Sequence, residues 1–310
     1  VHMQLLKKTI KKGVFNSVFT EVDHGESLGL KNPHQLRMFH LDVMNNAFSF
    51  DGLHYLLLRN IGRYVFSRAK IDQFKIDGDL DMIVNQATRL LRRACNASGS
   101  WVGEELGNIM LYIFLEQILG APKLFSKIEL SQFSNQNVQD SGGVHLLSLE
   151  NGGSPSYQMV FGKSNIIGDL QDAIDNAFNS LVTIRDNLSE ELQIVESTIY
   201  AQAYAPQTTD YLKSLIIPGK QKNTPMDRAF GVFLGYSLGL DGNNYSNLEF
   251  RKVLMEKMNT DIKAHAAYIV EKIKKENLSA HSFYFYILPF NDADNEKIDI
   301  MNELLGGGVV

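Results

Sequence analysis

Cysteine and tryptophan each occur once in 310 residues, and proline only seven times. The lone Cys95 excludes an internal disulfide and a cysteine-built zinc cage, and such thiol usage suits a reducing cytoplasmic setting. No run of 18 apolar residues occurs; the most apolar helical stretch, residues 108–121, is too short for a bilayer and carries Glu116 and Gln117. The start of the chain lacks the basic, apolar and small-residue order of a signal peptide, and His2-Met3 looks like a cloning scar. An excess of positive charge is also missing. Thirty Lys and Arg against 35 Asp and Glu leave a net charge of −5, so the whole molecule is not a polycation drawn to nucleic acid. There is no Gly-x-x-x-x-Gly-Lys-Ser/Thr phosphate loop, no Gly-x-Gly-x-x-Gly turn and no Gly-x-Ser-x-Gly elbow. The eight histidines lack His-x-x-x-His spacing, which argues against a zinc site.

What is present is ordinary globular material, 44% apolar and 21% charged. Alternation predicts a strand over 36–48, and helical periodicity predicts helices over 52–70 and 80–95. Turn residues 96–100 suggest a boundary between an N-terminal α/β region (1–98) and a second domain (99–310). Beyond it the pattern predicts a helix over 103–119, strands over 123–130, 144–149 and 157–161, and helices over 169–187 and 190–203. A strand over 231–238, a helix over 248–276, a strand over 282–288 and a helix over 295–304 complete the series. The expected fold is α/β, a mixed sheet flanked by helices. Asp169 and Asp172 read as caps of the helix that follows them. Tyr284 and Tyr286 alternate with Phe283 and Phe285, which suggests one pair facing inward and one facing a partner.

Helix, three meandering strands, helix, strand is the order of a restriction-endonuclease-like, PD-(D/E)XK-type core. Its chemistry uses a carboxylate before the second strand, Glu-x-Lys on the third, and often a Glu on the first helix. Residues two apart on a strand face the same way, so Glu and Lys share one pocket. The carboxylates hold Mg²⁺, which activates water against a phosphodiester.

The run from Gly103-Glu104-Glu105-Leu106-Gly107-Asn108 to Tyr112, followed by Leu119-Gly120-Ala121-Pro122-Lys123-Leu124-Phe125-Ser126-Lys127, resembles HamA, the effector of the Hachiman antiphage system. Gly143-Val144-His145-Leu146-Leu147, Phe161-Gly162-Lys163-Ser164-Asn165, Gly231–Tyr236 and Ile287-Leu288-Pro289-Phe290 extend the resemblance across residues 100–305. It implies a metal-dependent nuclease fold acting on DNA with a helicase partner, HamB. The family pattern asks for acidic residues near 108 and at 142, and for Glu-x-Lys at 163–165. The chain instead has Asn108, Gly142, Lys163 and Asn165. A lysine in a glutamate's place repels Mg²⁺, so the leading expectation is a degenerate site with no metal and no assigned catalytic residue. The alternative is an active Mg²⁺-dependent endonuclease with migrated ligands, Glu105 and Asp140, beside Lys163. Between residues 59 and 93, eight Lys/Arg face four Asp. Arg59, Arg63, Arg89, Arg92 and Arg93 are the candidate DNA contacts. Lys7, Lys8, Lys11 and Lys12 read as the solvated face of a terminal helix.

Overall fold

A computed structural model describes residues 6–11, 13–98, 101–131, 141–151, 154–201, 212 and 226–306. The N-terminal part supplies strands β1 (Phe19–Val22) and β2 (His34–Leu41), a small hairpin of β3 (Val43–Met44) and β4 (Ala47–Phe48), and helices α1 (Asp51–Val65), α2 (Arg68–Ile76) and α3 (Met82–Ser98). Next come α4 (Trp101–Phe114), which runs on into a π turn (Leu115–Leu119), β5 (Lys123–Ser126), α5 (Lys127–Ser131), β6 (Gly143–Asn151) and β7 (Ser154–Ile166). Helices α6 (Leu170–Asp186) and α7 (Leu188–Ala201), β8 (Met226–Ser237), α8 (Asn247–Lys275), β9 (Ser282–Phe290) and α9 (Ala293–Leu304) follow.

One seven-stranded sheet runs β1-β2-β9-β8-β7-β6-β5. Its middle strands, β2, β9, β8 and β7, are mutually parallel, whereas β1, β6 and β5 run antiparallel to their neighbours. The chain on both sides of residue 98 therefore contributes strands to the same sheet. The segment α4-β5-β6-β7-α6-β8 is a helix, an antiparallel meander, a helix and a strand parallel to β7, an order compatible with an α/β nuclease-like fold. Among the described residues no helix is long and apolar enough to cross a membrane.

Alternate residues of β9 assign the layers. Phe178 of α6 stacks on Phe283 and Phe285, whereas Phe114 of α4 stacks on Tyr286, so the two helices cover opposite faces. All nine residues of β9 are buried, as befits a central parallel strand. This corrects the expected outward-facing pair: the Tyr284 hydroxyl donates to Gln158 and that of Tyr286 to Gln35.

Other departures from the expected elements have local causes. Ser67 caps α2 by accepting from Lys70 N–H, which splits the 52–70 helix in two. Asn45 and Asn46 take positive φ and fold 43–48 into the β3–β4 hairpin. The 123–130 strand ends at Ser126, whose hydroxyl accepts from Glu129 N–H and starts α5. Asp169 caps α6 as expected. The lysine-rich N-terminus is not helical over described residues 6–11: Leu6 and Ile10 are buried, and Glu116 accepts from the Thr9 and Ile10 N–H groups.

Phe114 anchors the core. Its ring centroid lies 5.0–5.7 Å from those of Phe15, Phe19, Phe39, Phe233 and Tyr286, so α4 joins the N-terminal strands to the central sheet. Phe114→Ala is expected to cost about 3–5 kcal/mol in urea unfolding; a cost under about 1 kcal/mol would contradict this role.

Candidate functional site

The start of α4 meets β7 and the chain entering β6. Glu104, Glu105 and Asn108 stand on the first turns of α4, and Gly107 lets the helix approach closely. A Cβ at Gly107 would lie 2.7 Å from the Ser164 hydroxyl oxygen. A Cβ at Gly142 would lie 2.1 Å from Asn108 Oδ1. The space beside residue 142 is thus filled by the Asn108 amide, and Ser164 Oγ donates to the same oxygen at 2.7 Å.

Two carboxylates here have opposite surroundings. Glu104 Oε1 lies 3.1 Å from Lys127 Nζ and 3.5 Å from Lys163 Nζ. Burial opposes the charge of Glu104, but the two ammonium groups outweigh it and hold the carboxyl below its usual range. Glu105 is fully enclosed. Burial pushes its pKa up, offset in part by hydrogen bonds from the Tyr64 hydroxyl, at 2.7 Å, and from Asn108 Nδ2.

Tyr64 links this group to a second buried network. Its carbonyl accepts from Ser126 Oγ and from Lys123 Nζ, which also donates to the Phe66 carbonyl and, at 2.9 Å, to Glu129. His145 faces the Ala121 carbonyl, and burial pushes its pKa down to about 4, which leaves it neutral near pH 7. Tyr64, Asn108, Lys123, Gly142 and His145 line a cavity of about 10 Å³, room for about one water.

A divalent cation needs carboxylate oxygens free to ligate it. Glu104 already balances two ammonium groups, and Glu105 accepts hydrogen bonds from Tyr64 and Asn108. Among the described residues no three His, Cys, Asp or Glu side chains converge as a ligand set. Among the described residues of this centre, both carboxylates are thus engaged by protein groups.

Of the residues singled out in the sequence, Asn108 and Gly142 meet directly, Glu105 lies one hydrogen bond away, and Lys163 joins through Glu104. Asn165 is half-buried on β7, and Asp140 lies outside the described residues. Tyr64, Lys127 and Ser164 belong to the site and were not anticipated. Lys127 and Ser164 stand in the two blocks, 119–127 and 161–165, that carry the family resemblance. Cys95 is buried, and burial pushes its thiol up to about 11, away from nucleophilic chemistry.

The arginine set separates. Gly62 packs on Ile83, which places the end of α1 beside the start of α3. His54 pairs with Glu303, and Arg92 donates to the Leu305 carbonyl, so Arg92 lies toward the opposite end of α1 from Arg63. Arg89 and Arg93 are exposed on α3. Arg59 and Arg63 instead gather near Lys11, whose N–H donates to Asn60 Oδ1 at 3.0 Å.

Compared with known proteins, the sequence matches the HamA family model over residues 14–304. No curated protein matches it.

Because Asn108 occupies the space beside Gly142, Gly142→Ala is expected to destabilise the native chain by about 1–3 kcal/mol. In an Asn108→Ala background that cost should shrink, giving a coupling of at least about 1 kcal/mol in a double-mutant cycle read by urea unfolding. Strictly additive costs would show that the two positions do not compete.

Proposed function

The chain belongs to the HamA family, which makes it a component of antiphage defence, and from that premise we propose that it serves as a DNA-contacting scaffold rather than as a nuclease. In this reading its nuclease-like core has exchanged metal chemistry for an internal ion-pair network, and it works in the cytoplasm beside a HamB-like helicase. The observation that carries the proposal is Glu104 held between Lys127 and Lys163. In a metal-dependent nuclease the local positive charge comes from Mg²⁺, which polarises the phosphate and activates water. Here two lysines supply that charge, and an ammonium group cannot lower the pKa of a bound water as a divalent cation does. Asn108, an amide beside Gly142, adds no anionic ligand. What remains suited to function is the surface: exposed Arg89 and Arg93 on α3 and the group around Arg59 and Arg63 offer phosphate contacts, while Arg92 serves the fold by holding the Leu305 carbonyl.

The test is a gel assay of the purified chain with linear and supercoiled DNA, with and without Mg²⁺ or Mn²⁺, and in parallel with the helicase and ATP. Slowed but intact DNA is expected in every lane containing the chain. Metal-dependent degradation by the chain alone would overturn the scaffold reading and turn attention to Asp140.

A further inference from the structure

Tyr55, Arg59 and Arg63 stand four residues apart on α1 and so share one face of the helix. Tyr55 is 53% exposed. The Arg59 guanidinium lies 5.4 Å from the centroid of that ring and donates to its hydroxyl at 2.9 Å. The N-terminal arm brings a third cation to the same face. Glu116, buried in the π turn after α4, accepts from the N–H groups of Thr9 and Ile10 and, at 2.7 Å, from the Thr9 hydroxyl. The next residue, Lys11, is fixed at its N–H by Asn60, which lies between Arg59 and Arg63 in the helix. The exposed Lys11 ammonium is held below its usual range by burial and then by Arg63 and Arg59, so these cations crowd one another. Among the described residues none of the three has a carboxylate partner.

We propose that Tyr55, Arg59, Arg63 and Lys11 form a binding site for single-stranded nucleic acid, with Tyr55 stacking on an unpaired base and the three cations following the phosphates. The proposal rests on the DNA-contact part of the function proposed above and specifies its strandedness and its place. An exposed ring among cations offers a face to any base that has left its stack. In a duplex the base faces are already covered by neighbouring pairs, and only edges and phosphates remain in reach. Residues four apart on α1 rise about 6 Å along its axis, so the cations form a track rather than a point. The site suits the product of a strand-separating reaction, the kind a helicase supplies. Glu116 is a positioning residue: it touches no ligand, but it sets where Lys11 lies.

The test is fluorescence anisotropy of the full chain with a labelled oligothymidine of about 15 nucleotides and with a duplex of the same length, each over a range of salt. Tighter binding of the single strand is expected. Tyr55→Ala should weaken that binding about tenfold and leave duplex binding unchanged. Lys11→Ala should lower the slope of log affinity against log salt by about 0.7, and Arg59→Ala/Arg63→Ala by about 1.4. Tyr55 and Lys11 are exposed and Arg59 and Arg63 half-buried, and thermal melts of Tyr55→Ala and Lys11→Ala should match that of the native chain. Equal affinity for both DNAs with no effect of Tyr55→Ala would overturn the single-strand site and leave the DNA-contact reading standing. Binding of neither DNA would overturn both.

Discussion

Glu104 lies between two ammonium groups, and the rest of the centre is arranged around that contact. Lys127 comes from α5, Lys163 from β7 and Glu104 from α4, so one carboxylate joins three elements. Its depressed pKa follows from the same geometry: the two nearby ammonium groups favour the charged carboxylate over the neutral one. Such a group is an internal tie between the three elements. A partly buried ion pair is weak evidence of stability in itself, but it specifies one arrangement of the elements it connects.

The close approach of α4 to the sheet extends this constraint. Gly107 and Gly142 remove the side chains that would keep the helix away, and the space is taken by Asn108 and Ser164, which hydrogen-bond to each other. Tyr64 then connects Glu105 to the Lys123 and Glu129 network, and Glu116, further along the same helix, holds the N-terminal arm. Helix α4 thus organises the polar centre at its start, the aromatic core at Phe114 and the arm at its end. Polar side chains buried along one helix are costly unless each finds a partner. The partners come from distant parts of the chain, which is how one helix couples them.

Much of the fold was legible in the residues. The periods of α4, α6, α8 and α9 and of strands β6 to β9 are strong, and the ordered blocks around Glu104 and Gly162 pointed to the family that matches the chain. Other features depend on contacts that periodicity does not encode. A period of two says that residues 163 and 165 share a face of β7; it does not say that Gly162, Ser164 and Ile166 are the residues meeting Leu111 and Gly107 of α4. The N-terminal lysines looked like one face of a helix because nothing nearby in sequence reveals that Glu116 captures the Thr9 and Ile10 N–H groups. Tyr284 and Tyr286 looked half-exposed because alternation alone cannot show that both faces of β9 are covered.

On the proposed scaffold reading, the carboxylates of this centre bind lysine, tyrosine and asparagine in place of a metal. Calorimetric titration of the native chain with Mn²⁺ tests it most directly. No saturable heat of binding is expected. A tight site that disappears in Asp140→Asn would contradict it and would show that the centre has kept a metal through a relocated ligand.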